Sequence, residues 1–391
     1  MKTIRLGVVG LGRAFTLMLP TFVADPRVAL AGAADPRPEA RSRFEAEFNR
    51  TAYERIESLC ADRSIDAVYI ASPHQLHAQH TRIAAAAGKH VLVEKPMALS
   101  IDECQSMIDA AERARVHLIV GHSHSFDAPI LRTRELIASG AYGKLRMLTA
   151  LNFTDFMYRP RRPEELATPE GGGVVWSQAA HHIDVVRLLG GGLARSVYAF
   201  TGMWDPARPT EGAYSALIRF DEAFASLTYS GYGHFDSDEF CGGIGELGEL
   251  RDGARYGATR RALASARSAA EEAALKASRG YGGCRQPPSN ATASHHQHFG
   301  LLIASCDHAD LRPLPDRVTI YGDLEMREEP LAPPSIPRRE VIDELHDAVV
   351  NGIRPRHNGE WTLATIEACQ ALLQSASERR EISLRRQVAC S

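Results

Sequence analysis

Lysine and histidine are the side chains best suited to handling a proton near neutral pH. One of each stands here in distinctive company. Lys95 lies in Glu94-Lys95-Pro96, directly after His90-Val91-Leu92-Val93, an apolar run that reads as a short buried strand. A lysine closing a parallel strand stands where open α/β sheets bind ligands. There a partly desolvated amine can hydrogen-bond a substrate or pass a proton. Pro96 lacks an N–H and holds Lys95 extended, so the strand stops. His181 lies in Gly171-Gly172-Gly173-Val174-Val175-Trp176-Ser177-Gln178-Ala179-Ala180-His181-His182-Ile183-Asp184. The glycines suit a flexible loop of close approach. Residues 177–189 read as a helix with Ser177, His181 and Asp184 on one face. A histidine on such a face is an ordinary general base.

Lys95 needs elements to carry it, and these alternate. A buried strand over 4–9 runs into Gly10-Leu11-Gly12-Arg13-Ala14 and then a helix-like stretch to residue 24. This reads as the dinucleotide fingerprint. Gly10 permits the tight turn, Gly12 admits a pyrophosphate, and Ala14 is taken as the small residue that lets the helix pack. A strand over 28–34 ends at Asp35. An acid there accepts from a ribose 2′-hydroxyl and repels a 2′-phosphate, which favours NAD over NADP. Arg37 works against that preference, because it can pair with a phosphate or stack on adenine. A strand over 65–71 ends in Ser72-Pro73-His74. A helix over 75–87 stops at Gly88, and Ser100 with Glu103 forms a capping box before another helix. A further strand spans 117–121. Such alternation builds a parallel, doubly wound sheet.

Gly10-Leu11-Gly12-Arg13, Ser72-Pro73-His74-Gln75-Leu76-His77 and Gly88-Lys89-His90-Val91-Leu92-Val93-Glu94-Lys95-Pro96 resemble the Gfo/Idh/MocA oxidoreductases. The resemblance runs nearly end to end. It implies an N-terminal Rossmann domain over 1–123, then an α+β domain over 124–391 with a large, mostly antiparallel open sheet. It implies contacts to the NAD cofactor from Gly10, Leu11, Gly12, Arg13, Ala14, Asp35, Ser72, Pro73, His74, His77, Glu94 and Lys95. Lys95 would lie beside the nicotinamide and the reacting hydroxyl, with a cis bond to Pro96. His181 falls on the family histidine that takes the hydroxyl proton as hydride leaves carbon, while Asp184 would orient a histidine or cap structure. Pairing through the open sheet face implies a homodimer or homotetramer.

Two departures bear on the substrate. The family's usual Asp four residues before the histidine is Ser177 here, and His122 and His124 stand where the family often has Asn and Arg. Ser177 carries no charge, which suits an anionic substrate. Tyr158-Arg159-Pro160-Arg161-Arg162 follows a strand ending near Asn152, and arginine forks grip carboxylates. The substrate set expected is His122, His124, Asn152, Arg159, Ser177 and His181. The chain resembles the branch acting on phthalate cis-4,5-dihydrodiol, an anionic cyclic diol. A sugar or inositol dehydrogenase and a non-catalytic nucleotide sensor are the alternatives.

Residues 243–283 look inserted. Residues 247–278 read as a charged, solvated helix, closed by Gly280, Gly282, Gly283, Pro287 and Pro288. A lid, an oligomer contact or a mobile excursion would fit. His295-His296-Gln297-His298, with Cys306 and His308, matches no zinc spacing, so no metal is expected. With 391 residues there is room for two domains, and a net charge of −3 gives no case for nucleic acid. No apolar run is long enough for a bilayer, and no signal peptide is expected. Seven cysteines without a Cys-x-x-Cys pair suit a reducing cytoplasm.

Overall fold

A computed structural model describes residues 2–283 and 294–390. Cys284, Pro287 and Pro288 lie outside the described residues. Among the described residues no helix is long and apolar enough to cross a membrane. The chain folds into two compact units.

The first unit holds residues 2–122 together with 273–283 and 336–366, so it is discontinuous in sequence. Its strands are β1 (Ile4–Val9), β2 (Val28–Ala34), β3 (Ala52–Tyr53), β4 (Ala67–Ile70), β5 (His90–Val93) and β6 (Leu118–Val120). They form one parallel sheet in the order β3-β2-β1-β4-β5-β6. All four residues of β4 are buried, as a sheet covered on both faces demands. The capping box forms: the Ser100 hydroxyl accepts from the Glu103 amide at 3.2 Å. The helix expected over 75–87 is split into a 3₁₀ turn, His74–Leu76, and an α-helix, His77–Ala86. Residues from the far end of the chain complete this unit. Val120 donates its amide to the His357 carbonyl at 2.9 Å, Ile119 bridges Asn358, and Arg27 pairs with Asp343 at 2.6 Å.

The second unit holds residues 123–272, 294–335 and 367–390. Its strands are β7 (Leu145–Phe153), β8 (Ser196–Gly202), β9 (Ala213–Arg219), β10 (Phe224–Ser230), β11 (Leu301–Cys306), β12 (Ala309–Leu314), β13 (Arg317–Gly322), β14 (Met326–Pro330) and β15 (Ile382–Ser383). The sheet order is β14-β13-β12-β11-β7-β10-β9-β8-β15, antiparallel except where β7 meets β10. One face is covered, with Leu148, Ala150 and Asn152 of β7 buried. Phe200, Leu217, Phe224, Tyr321 and Met326 are exposed.

Two expectations need correcting. The helix carrying His181 does not run regularly from Ser177. Val175–Ala179 is a π-helical turn and the α-helix is Ala180–Leu189, all ten residues of it buried. Ser177 lies inside that wide turn, where the regular helical spacing assumed for it does not apply. The insert is not one helix either. Ile244 bridges Leu250, and two short helices follow, Ala258–Ala264 and Ala269–Ala277. Neither helix has a fully buried residue, so packing gives no reason for a longer one.

Candidate functional site

In the first unit the site is built around the turn after β1. Gly10 has φ +91°, and a Cβ there would lie 2.7 Å from the Ser72 nitrogen. Only glycine fits. A Cβ on Gly12 would meet nothing nearer than the Ala71 oxygen at 4.0 Å. Gly12 precedes helix Arg13–Ala24, which has no side-chain cap. An anion can take the place of that cap, so the turn fits a pyrophosphate. The expectation for Ala14 needs correcting. Counted from Gly10 and Gly12, the helix-packing position of the fingerprint falls on Phe15. Phe15 is fully buried, 6.4 Å from Phe44 and 5.2 Å from Tyr281 between ring centroids. A bulky ring stands where the fingerprint takes a small residue.

Asp35 is buried and fully engaged. It accepts from the Leu11 amide at 2.7 Å, the Arg37 amide at 2.9 Å, and Arg37 Nε and Nη2 at 3.0 and 3.1 Å. Arg37 Nη2 also donates to the Leu11 carbonyl at 2.8 Å. The acid thus fastens the end of β2 to the glycine turn, and a guanidinium neutralises it. The charge argument for NAD over NADP is weaker here than Asp35 alone implies.

Lys95 is half-buried at the carboxyl end of β5, and its bond to Pro96 is cis, as expected. The buried His77 ring ties this turn to β4, with Nδ1 2.9 Å from the Pro96 oxygen and Nε2 2.9 Å from the Ser72 oxygen. Burial lowers its pKa to about 4. A neutral ring has one N–H, so it donates to one of those two carbonyls. Tyr69 donates to Glu94 at 2.5 Å, and burial raises the Glu94 pKa. Ser72 Oγ lies 2.9 Å from His80 Nδ1, Pro73 is exposed and His74 is half-buried. His122 is buried, and its bond to Gly121 is also cis.

In the second unit three histidine rings gather on Phe299, and His298 precedes it in the chain. The His124 ring stacks on Phe299 at 4.8 Å and meets His181 edge-on at 4.8 Å. His181 lies 5.1 Å and His182 4.8 Å from Phe299. His298 is buried and turns Nε2 to the Ile244 carbonyl at 2.8 Å. His181 Nδ1 lies 3.4 Å from the Ser123 hydroxyl. His124 carries a carboxylate at each nitrogen: Asp127 at 2.7 Å from Nδ1 and Glu246 at 3.5 Å from Nε2. Burial opposes its charge, but the two acids win and raise its pKa to about 9. Glu246 moves the other way: burial opposes its charge, but His124 and Arg159 lower its pKa to about 2. Burial, with His124 nearby, lowers the His182 pKa to about 3. A ring whose pKa is raised thus lies edge-on against His181.

The surroundings hold this cluster in place. Ser125 donates to Asp184, joining the His124 turn to helix Ala180–Leu189. Asn152 accepts from Ser237 at 2.6 Å. The Ser177 hydroxyl donates to the Gly173 carbonyl at 2.5 Å, within its own turn. A Cβ on Gly173, φ +82°, would overlap the Glu211 carboxylate, which accepts from the Val175 amide at 3.2 Å. The glycines therefore serve close packing. Arg159 lies 3.5 Å from Asp155 with its side chain 38% exposed. Arg161 sits 3.6 Å above the Phe156 ring and donates to the Phe156 carbonyl, and Arg162 pairs with Glu164 at 2.9 Å. Among the described residues no His, Cys, Asp or Glu cluster could hold a metal.

Residues 4–122 match a family described as oxidoreductases with an NAD-binding Rossmann fold, and residues 130–251 match the GFO/IDH/MocA C-terminal domain. The chain belongs to the Gfo/Idh/MocA oxidoreductase family. It is 49% identical over 373 residues to 1-carboxy-3-chloro-3,4-dihydroxycyclohexa-1,5-diene dehydrogenase of Comamonas testosteroni, covering 95% of this chain and 94% of that one. A Bordetella bronchiseptica RB50 protein, described as a dehydrogenase, is 39% identical with a TM-score of 0.91 over 98% of this chain and 100% of its own. The WlbA dehydrogenase of Bordetella pertussis, solved with NADH and UDP-GlcNAcA, shares the fold at 21% identity and TM-score 0.66, over 98% of this chain and 99% of its own.

Within this Gfo/Idh/MocA chain, the expected nucleotide residues Gly10, Leu11, Gly12, Arg13, Ala14, Asp35, Ser72, Pro73, His74, His77, Glu94 and Lys95 lie on the turns and helix starts that follow β1, β2, β4 and β5. His124, His181 and Asn152 are buried in the second unit, and the first two rings touch. Ser177 and Arg161 are tied to local main chain. Glu211, Glu246, Tyr281 and Phe299 were not expected. The partners Thr168, His124, Phe15 and His181 all lie far from them in sequence. The only signal was indirect: three consecutive glycines imply a close neighbour, without naming Glu211.

Proposed function

We propose that the protein is an NAD-dependent dehydrogenase of a carboxylated cyclic cis-dihydrodiol, oxidising phthalate cis-4,5-dihydrodiol to 4,5-dihydroxyphthalate. The reading rests on 49% identity, across nearly the full length, to an enzyme named for a carboxylated dihydroxycyclohexadiene. The nicotinamide, when bound, accepts the carbinol hydride. His181 accepts the hydroxyl proton and Lys95 donates a hydrogen bond to the same oxygen. The ring ketone so formed tautomerises, losing the C–H proton of the neighbouring carbinol carbon to solvent while its carbonyl oxygen takes one up, and the aromatic ring that results drives the oxidation forward. Arg159 is the guanidinium of its cluster with most room for a substrate carboxylate, because Arg161 and Arg162 are tied to Phe156 and Glu164. We place the enzyme in the cytoplasm, as a homodimer or homotetramer joined through the exposed apolar residues of the second sheet.

The test is nicotinamide reduction by the full-length protein. NAD⁺ and NADP⁺ are each tried with phthalate cis-4,5-dihydrodiol, myo-inositol and glucose. NADH formation on the dihydrodiol alone is expected. Turnover of the polyols alone would replace this reading with a sugar or inositol dehydrogenase. NADH binding without turnover of any dihydrodiol or polyol would point to a nucleotide sensor.

A further inference from the structure

The tail of the insert belongs to the nucleotide-binding unit, and its contacts converge on the cofactor loop. Tyr281 is 2% exposed. Its ring meets Phe15 edge-on at 5.2 Å with an interplanar angle of 73°. Its hydroxyl donates to Glu47 at 2.6 Å, and the Arg43 guanidinium lies 4.6 Å from the ring centroid. The residues on either side come down to main-chain contact. A Cβ on Gly280 would lie 3.7 Å from Cα and C of Gly12. Gly282 has φ +81°, and a Cβ there would lie 3.0 Å from the Ala40 Cα.

These partners fall on two elements. Gly12 and Phe15 belong to the turn and helix that face the pyrophosphate. Ala40, Arg43 and Glu47 belong to helix Pro38–Phe48, which starts just after Asp35 and Arg37. Phe15 makes the docking possible. The small residue usual at that position would leave Tyr281 no ring to pack against. At Gly282 the positive φ and the 3.0 Å approach to Ala40 leave no room for a side chain. At Gly280 a Cβ would sit in ordinary contact with Gly12, and only a branched side chain would press on the turn.

We propose that Gly280-Tyr281-Gly282 is a cofactor clasp. Tyr281 is a positioning residue that fixes the Gly10–Gly12 turn against the Asp35–Arg37 corner, and the dinucleotide binds tightly only while the clasp is seated. The inference rests on the nicotinamide-binding role of this unit and is independent of the substrate. It assigns the end of the insert a task in cofactor affinity.

The experiment titrates NADH into full-length wild type, Tyr281→Ala, Tyr281→Phe and Gly280→Val, following NADH fluorescence. Thermal unfolding without NADH is measured on each. Tyr281→Ala and Gly280→Val each weaken NADH binding by about tenfold or more, as a misplaced loop does. Tyr281→Phe stays near wild type, because its ring keeps Phe15 and Arg43. A purely structural Tyr281 would lower the melting temperature and leave the dissociation constant of the folded protein alone. That result, or unchanged affinity in Gly280→Val, overturns the clasp. If Tyr281→Ala does not fold, Gly280→Val decides, since it leaves the anchor in place. Wild type that fails to bind NADH at all would instead overturn the cofactor reading on which the clasp stands.

Discussion

The two units prepare for chemistry in opposite ways. The nucleotide unit works mainly with backbone: a glycine turn with φ +91°, an uncapped helix start, and an Asp35 that holds main-chain amides. The second unit works with side chains brought from distant stretches. Residues 123–127, 181–184, 246 and 298–299 supply rings and charges that meet only after folding. A backbone site must be encoded locally, because the turn itself is the site. A side-chain site can be encoded anywhere the fold brings together. The first kind binds what many relatives share, and the second is free to differ between substrates.

Four perturbations probe that contrast, the largest first. His181→Gln should lower kcat by about 10²–10⁴-fold, the worth of a general base, and leave NADH affinity unchanged. Steady-state rates with an NADH titration check this, and a loss below about tenfold would remove His181 from the proton-transfer role.

The next pair sets one unit's glycine against the other's. Gly10→Ala and Gly173→Ala each force a side chain into a positive-φ position with a close neighbour. Each should cost about 1–3 kcal/mol of stability in denaturant melts. Only Gly10→Ala should also abolish NADH binding. Equal effects on NADH would erase the distinction between the units.

A third test concerns charge. The folded pKa of His124 is about 9 against an ordinary 6.5, so its pairing is fully present below pH 6.5 and is lost as pH rises through 9. Glu246 is lowered to about 2 from 4.5, so its share is present above pH 4.5 and is lost as pH falls through 2. Melting temperature should therefore hold a plateau between those two inner values and decline on either side. Glu246→Gln should flatten the acid decline and reduce the alkaline one, at a cost of about 1 kcal/mol on the plateau. A pH profile identical to wild type would show that the pair does not form.

The smallest effect belongs to Arg37. Arg37→Gln strips the neutralising charge from Asp35 and should move the preference between NAD⁺ and NADP⁺ toward NAD⁺ by less than about tenfold. Dissociation constants for both cofactors decide it, and a shift toward NADP⁺ would mean that Arg37 serves the loop alone.

The same contrast explains what the sequence disclosed. The parallel sheet and the Gly10 turn were legible, because each is written in a contiguous run of residues, and the cis bond at Lys95 followed from the family resemblance that one such run carries. His181 was legible as a candidate base, but its surroundings were not. Its regular helix was misjudged because nothing local marks a π turn. Glu246 and Phe299 carry no pattern, since their partners lie far away along the chain. The insert misled by composition: Ala, Arg and Glu favour helix, yet without an apolar stripe to bury only short pieces form. The third fingerprint position was missed by one residue, and the structure returns it to Phe15, where a docked ring replaces a small residue.

The edge of the first sheet has a consequence for how the chain is made. β6 finds its outer neighbour in residues 357–358, and Arg27 finds its partner in Asp343. A ribosome releases every strand from β7 to β14 before those residues appear. The unit whose strands are synthesised first therefore waits with an open edge, while the second sheet can close almost completely. A chain cut after residue 122 would carry the whole glycine fingerprint and still lack the lateral cover that makes its sheet a finished object.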